Sequence, residues 1–348
     1  MSLAKLAMVL AAFGPSLLVL ALAGCSRRAV VIPQTEPPVA EGYPRAILAN
    51  DHLKLTIYLP DAEKGYYRAM RFDWSGQVGR AEFAGHTAFG QWQKPHDPLA
   101  HDHVVGPAEE FGMDSPLGYE EAEPGQPFYK IGVGTLEKTD GEPYKFWDTY
   151  RFLAAPAWKV TCAEDRIEFV QELVGERGWA YEYAKRIVLD AERAAFTIHH
   201  TLRNTGAKPI ETTMYYHNFI ILDDEPIGPA YRVTYPFVPE IVEGSLEDLA
   251  EFKANALIYT AAMPADKAQW VRLGGFEGKR QHNRVAVTNE KTGARVKIGS
   301  SLPPVKVVYY ATCTAACPEF FVPIRVAPGE RLQWSGTYAF EVAEPKAR

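Results

Sequence analysis

From His52 onward the chain is a succession of short runs rich in Val, Ile, Tyr, Phe, Trp and Thr, separated by Gly, Pro and Asp/Asn turns. Side chains that alternate between apolar and polar with a period of two mark half-buried strands. On that pattern strands are predicted over Leu53–Leu59, Tyr67–Trp74, Val78–Phe83, Phe128–Leu136, Tyr144–Leu153, Arg166–Val174, Trp179–Leu189, Ala194–Arg203, Ile210–Leu222, Val305–Thr312 and Leu332–Val342. Arg203-Asn204-Thr205-Gly206 and the segment from Asn289 to Gly293 supply turn residues that tolerate positive φ. Only Ser245–Tyr259 reads as a helix, with Ser245 as N-cap ahead of Glu247 and Asp248. Many strands with almost no helix imply a sandwich or a barrel. No internal repeat and no second linker appears, so the body of the chain reads as one domain.

One predicted strand is unusual. In the run from Glu211 to Asp223, a histidine and an asparagine interrupt an aromatic, β-branched sequence. Alternation sets Tyr215, His217 and Phe219 on one face and Tyr216, Asn218 and Ile220 on the other. The first face presents an imidazole between two aromatic rings, a surface on which the apolar side of a sugar stacks while its hydroxyls are hydrogen-bonded. The competing reading is an ordinary core histidine. A second polar interruption bears on the choice: Glu319 lies in the aromatic segment Cys317-Pro318-Glu319-Phe320-Phe321. Burial there would raise a carboxyl pKa and make it a better base near neutrality, whereas a glutamate at a loop edge would simply point into water.

The N-terminus has a different pattern. Lys5 is followed by an apolar stretch from Leu6 to Ala23, broken by Gly14-Pro15, and then by Leu22-Ala23-Gly24-Cys25. This describes a secretory signal rather than a spanning helix. Its ending resembles a bacterial lipobox, which implies a lipid on Cys25, with an ordinary signal peptide as the alternative. The expected organisation is therefore a signal over residues 1–25, an extended proline-containing tether over 26–45, and a single β domain over 46–348. The expected location is the bacterial cell envelope, periplasmic or surface-exposed, with membrane contact through the anchor alone.

The 348 residues carry a net charge of -6 and no basic run, which argues against nucleic acid as a partner. With Cys25 lipidated, Cys162, Cys313 and Cys317 remain, enough for at most one bridge. Cys313 and Cys317 either pair across a bend or stay as free thiols.

Two loop-rich stretches add candidate chemistry. The first contains His86, Trp92, His96, Asp97, His101, Asp102 and His103. Its imidazoles and carboxylates are metal-ligand types, but the spacing matches no standard zinc motif, so a polar cleft lining or a solvated loop is preferred and no metal is assigned. The second, Arg71-Phe72-Asp73-Trp74, sets Arg71 and Asp73 on one strand face. They form either an edge ion pair or a set of sugar-hydroxyl contacts beside the Trp74 ring.

Taken together, the Tyr216-His217-Asn218-Phe219 strand, the Cys317-Pro318-Glu319-Phe320 segment a hundred residues later, and a Pro328-Gly329 turn into a closing Tyr338-Ala339-Phe340 strand resemble the galactose mutarotase (aldose 1-epimerase) superfamily. The resemblance implies a large antiparallel β-supersandwich, a carbohydrate ligand (a monosaccharide or the end of a glycan) and no cofactor. It implies His217 as the acid at the ring oxygen and Glu319 as the base at the anomeric hydroxyl. Arg71 takes the part of the family's arginine, and one of His86, His101 and His103 that of its second histidine. Asp73, Trp74, Tyr215 and Asn218 complete the expected contacts. His217 precedes its asparagine here, the reverse of the family order. The same fold also carries carbohydrate-binding and polysaccharide-lyase-like proteins, which is the alternative function; the sequence does not indicate an oligomeric state.

Overall fold

The computed structural model describes residues 42–343. The expected signal, Cys25 and most of the tether lie outside them. The chain is already docked at Tyr43, whose ring meets Tyr66 edge-on at 5.2 Å, and the first strand is Arg45–Ala49.

Two antiparallel sheets dominate. In the ten-stranded sheet, Ala294–Ser300, Arg331–Val342, Ala195–Asn204 and Ala180–Leu189 are neighbours in that order. The six-stranded sheet runs Glu240–Ser245, Gln269–Gly274, Lys306–Ala311, Ala316–Val326, Ile210–Asn218, Pro107–Phe111. A four-stranded sheet that begins at Arg45 and a three-stranded sheet of Pro127–Lys130, Gly134–Glu137 and Arg151–Ala154 complete the molecule. The expected all-β, antiparallel supersandwich is the observed fold.

The core lies between the two large sheets. Ile198, Leu202 and Tyr338 from one meet Met214, Val322 and Ile324 from the other, all buried. Each buried aliphatic side chain there contributes about 1.5–3 kcal/mol. Alternation leaves the opposite side of the six-stranded sheet free to carry chemistry.

Four local expectations change. Phe128–Leu136 is not one strand but a hairpin of Pro127–Lys130 and Gly134–Glu137. Ser245–Tyr259 is not a helix but the end of Glu240–Ser245 followed by a hairpin of Ala250–Lys253 and Ala256–Tyr259. Ser245 Oγ does accept an amide, that of Glu247 at 3.0 Å, but Glu247 and Asp248 take left-handed φ of 52° and 58°, which turns the chain instead of winding it. Tyr67–Trp74 is irregular because side chains satisfy its backbone. The Tyr67 hydroxyl accepts the amides of Arg71 and Phe72, and the Trp74 indole donates to the Ala69 carbonyl at 2.7 Å. Of Tyr144–Leu153 only the end is extended, in Arg151–Ala154. Cys162, Cys313 and Cys317 are free thiols.

Candidate functional site

The site is built from rows of side chains that cross the six-stranded sheet. Ile210–Asn218 pairs with Ala316–Val326 from Ile210 opposite Val326 to Met214 opposite Val322. The same register returns at the Ile220–Ala316 bridge, so His217 falls opposite Glu319. Between these points the inner-face Asn218 ties the strands, its amide donating to the Pro318 carbonyl at 2.7 Å while Tyr338 donates to Asn218 at 2.7 Å.

Paired residues of neighbouring strands share a face. Glu319 pairs with Val308, Val308 with Arg272, and Arg272 with Glu243. One row therefore reads His217, Glu319, Val308, Arg272, Glu243. The next holds Phe219, Tyr310 and Trp270, and the row on the other side holds Tyr215, Phe321 and Lys306. Except for Tyr215, these residues line a cavity of about 500 Å³, which His101, Asp102, Trp92, Phe146 and Met113 close from the loops.

His217 and Glu319 are both buried, with His217 Nε2 3.2 Å from Glu319 Oε1. That approach is not aligned as a hydrogen bond. Among the described residues neither His217 Nδ1 nor Glu319 Oε1 has a hydrogen-bond partner. The imidazole lies flat on Phe219 at 4.0 Å. Burial pushes the Glu319 carboxyl up to about 8, against the pull of Arg71, and burial together with Arg71 takes the His217 imidazole well below its usual value. At neutral pH the pair therefore holds one proton, on the carboxyl.

Arg71 is fixed beside this pair. Its Nε donates to Glu110 Oε2 at 2.8 Å, and a terminal nitrogen donates to the Tyr215 hydroxyl at 2.9 Å. Tyr215 in turn donates to Glu110 at 2.6 Å. The Phe146 ring stacks on the guanidinium at 4.1 Å. Burial would raise the Glu110 carboxyl, but Lys130 and Arg71 overcome it and hold the group ionised. A planar cation clamped in this way presents its remaining edge to the cavity at little entropic cost.

Of the residues singled out in the sequence, the structure brings Arg71, Trp92, His101, Asp102, His217, Phe219, Glu319 and Phe321 into one cavity, with Tyr215 holding Arg71 from beneath. The others lie elsewhere. Asp73 does not share a face with Arg71, because the segment is not a strand; its carboxylate accepts from Ser75 and from Tyr183 inside the sandwich. Trp74 is buried against Phe152. His86 pairs with Asp223 at 3.0 Å, and His103 accepts the Asp97 amide at 2.9 Å. Asn218 faces inward as described. Among the described residues, no three His, Cys, Asp or Glu side chains gather as a metal site.

Trp270, Arg272, Lys306, Tyr310 and Phe146 were not singled out. A local signal existed for two pairs. In Gln269–Gly274 the alternation buries Gln269, Val271 and Leu273 and leaves Trp270 and Arg272 on the open face, and Lys306 and Tyr310 share a face in the same way.

No protein-family model matches the sequence, and no curated protein matches it. Solved structures do match. A galactose mutarotase related enzyme from Lactobacillus acidophilus is 10% identical with a TM-score of 0.54, over 87% of this chain and 100% of that one. A galactose mutarotase-like protein from Clostridium acetobutylicum is 11% identical with a TM-score of 0.55, over 86% and 95%. A GalM/aldose epimerase homologue from C. elegans is 12% identical with a TM-score of 0.54, over 87% and 100%. At these identities the likeness is one of fold, and this chain has the galactose mutarotase-like fold.

Proposed function

We propose that this protein is an aldose 1-epimerase-like enzyme that interconverts the anomers of a sugar by acid–base catalysis. The observation that carries the reading is the His217–Glu319 pair: two buried titratable groups 3.2 Å apart, with unpartnered polar atoms, in an aromatic-lined cavity. Proton transfer across that gap converts the carboxyl–imidazole form into carboxylate and imidazolium, of which the nearby Arg71 charge favours the first and opposes the second.

Glu319 then takes the proton of the anomeric hydroxyl O1, the C1–O5 bond breaks as C1=O1 forms, and His217 gives its proton to O5. After rotation about C1–C2 the steps reverse on the other face of the carbonyl. No proton is gained or lost overall, so no cofactor enters. Arg71 and His101 would hold hydroxyls, and Phe219 and Tyr310 would pack against the sugar's apolar side.

The test is relaxation of a freshly dissolved single anomer, followed by polarimetry or NMR across hexoses, pentoses and uronic acids. Glu319→Gln and His217→Asn should each lower turnover by on the order of 10² to 10⁴-fold, with sugar affinity changed much less. A wild-type protein that binds sugars yet relaxes none faster than buffer would replace this reading with a carbohydrate-binding or lyase-like one. The lipobox-like sequence ending at Cys25 supports a lipid-anchored place on the bacterial cell envelope. Cys25→Ser should free the protein from membranes; retention after a salt wash would remove that part of the proposal.

A further inference from the structure

The cavity is longer than the chemistry of one hemiacetal needs. Along its central row the sheet steps from the His217 strand to the Glu243 strand through four strand spacings, roughly 19 Å. The reactive pair sits at one end of that row. Its other end holds no buried titratable group, only Arg272 and Glu243, paired at 3.0 Å with side chains 40% and 59% exposed. A half-exposed ion pair of this kind adds little to folding stability.

Trp270 lies in the neighbouring row at the same end. It is 42% exposed, although its strand neighbours Gln269 and Val271 are fully buried. The edge strand passes directly against it at Gly244, where φ is +86° and a Cβ would come within 3.0 Å of the indole Cε3 and 2.1 Å of the Trp270 carbonyl oxygen. Backbone thus covers one side of the ring, and the rest of it opens into the cavity. One exposed ring is ordinary on a protein surface, but Trp270 continues the aromatic row of Phe219 and Tyr310 along the same cavity and stands beside a hydrogen-bonding cation and carboxylate, an arrangement on which a sugar ring stacks.

We propose that this outer end is a second carbohydrate subsite, and that the preferred ligand is an oligosaccharide: its reducing-end unit lies at His217 and Glu319, and a following unit stacks on Trp270 within reach of Arg272 and Glu243. The placement of the reducing end rests on the epimerase reading above; the subsite itself rests on the groove.

The experiment uses the full chain with two readouts, mutarotation kinetics and calorimetric titration. The probes are glucose, galactose, xylose and glucuronate, together with their α-1,4- and β-1,4-linked trimers. For at least one sugar, the trimer should show a lower KM and Kd than the monomer. Trp270→Ala should raise the trimer's KM on the order of 10-fold more than the monomer's, and Trp270→Phe, which keeps a ring, should restore most of the difference. If no sugar relaxes but the trimer's calorimetric advantage exists and is lost in Trp270→Ala, the epimerase reading fails and the subsite stands. Trimers that bind no more tightly than monomers, or a Trp270→Ala effect equal on both, overturn the subsite even in an active enzyme.

Discussion

The two faces of the six-stranded sheet meet almost the same set of groups. On the open face, Glu319 and His217 sit near Arg71. On the inner face, Glu109 meets His200 and Lys185 of the facing ten-stranded sheet, all buried. The inner groups are tied together except at Glu109 Oε1, which has no hydrogen-bond partner among the described residues and faces His200 Nε2 at 3.7 Å. Lys185 donates to Glu109 at 2.5 Å and to the Ser75 carbonyl at 2.6 Å, Tyr183 donates to Asp73 at 2.9 Å, and His200 meets Tyr183 at 3.0 Å and Tyr216 at 2.9 Å. Burial shifts these groups as well: it takes the Glu109 carboxyl up to about 7 despite Lys185, and the His200 imidazole well below its usual value. A displaced pKa therefore does not separate a reactive glutamate from a structural one. What separates them is whether the proton-carrying atoms face a cavity or other side chains.

The contrast can be broken by a pair of substitutions with opposite outcomes. Glu319→Gln should abolish most turnover, by the factor given above, and leave the fold intact. Glu109→Gln should leave Lys185 with only Asp73, 3.8 Å away, as an anionic partner. Loss of one member of a buried ion pair costs about 3–5 kcal/mol, read as a large fall in Tm. Loss of turnover in Glu109→Gln with Tm unchanged would mean that the inner network takes part in the reaction.

A smaller effect sharpens the same point through pH. The Glu319 carboxyl titrates near 8 in the folded protein and well below that when unfolded, so the folded form holds its proton longer. Its contribution to stability is full below the ordinary carboxylate range and is lost as pH rises through about 8. Glu319→Gln should thus flatten the decline in Tm between pH 5 and 9. Wild-type turnover should fall above about 8, where the pair loses its only proton, and persist on the acid side below the usual imidazole range, because the His217 pKa is lowered. Parallel Tm curves for the two proteins would place the Glu319 carboxylate in contact with water.

The fold was legible because alternation is a local signal, and the faces of the His217 strand follow from it directly. The Glu319 strand was not recognised, because Pro318 and Pro323 interrupt a segment that nevertheless pairs on both sides. Arg71 and Asp73 were assigned to one face because period two was applied to a segment that is not extended. The glutamates that part them, Glu109 and Glu110, are adjacent in a true strand and point to opposite faces. The row from His217 to Glu243 joins five strands spread over more than a hundred residues. Its alignment is set by register, which no single segment contains.

The strand Glu240–Ser245 ends the sheet beside the outer part of the groove, and its pairing slips between Ile241 and Glu243. A bare strand edge is a template on which a second chain can polymerise, and the exposed Ile241 and Val242 would favour it. The bulge breaks the regular sequence of free amides and carbonyls, and Glu240 and Glu243 would set like charges against a copy of the same edge. The irregularity that brings Gly244 against Trp270 would thus also make this edge a poor template for a second copy of the chain.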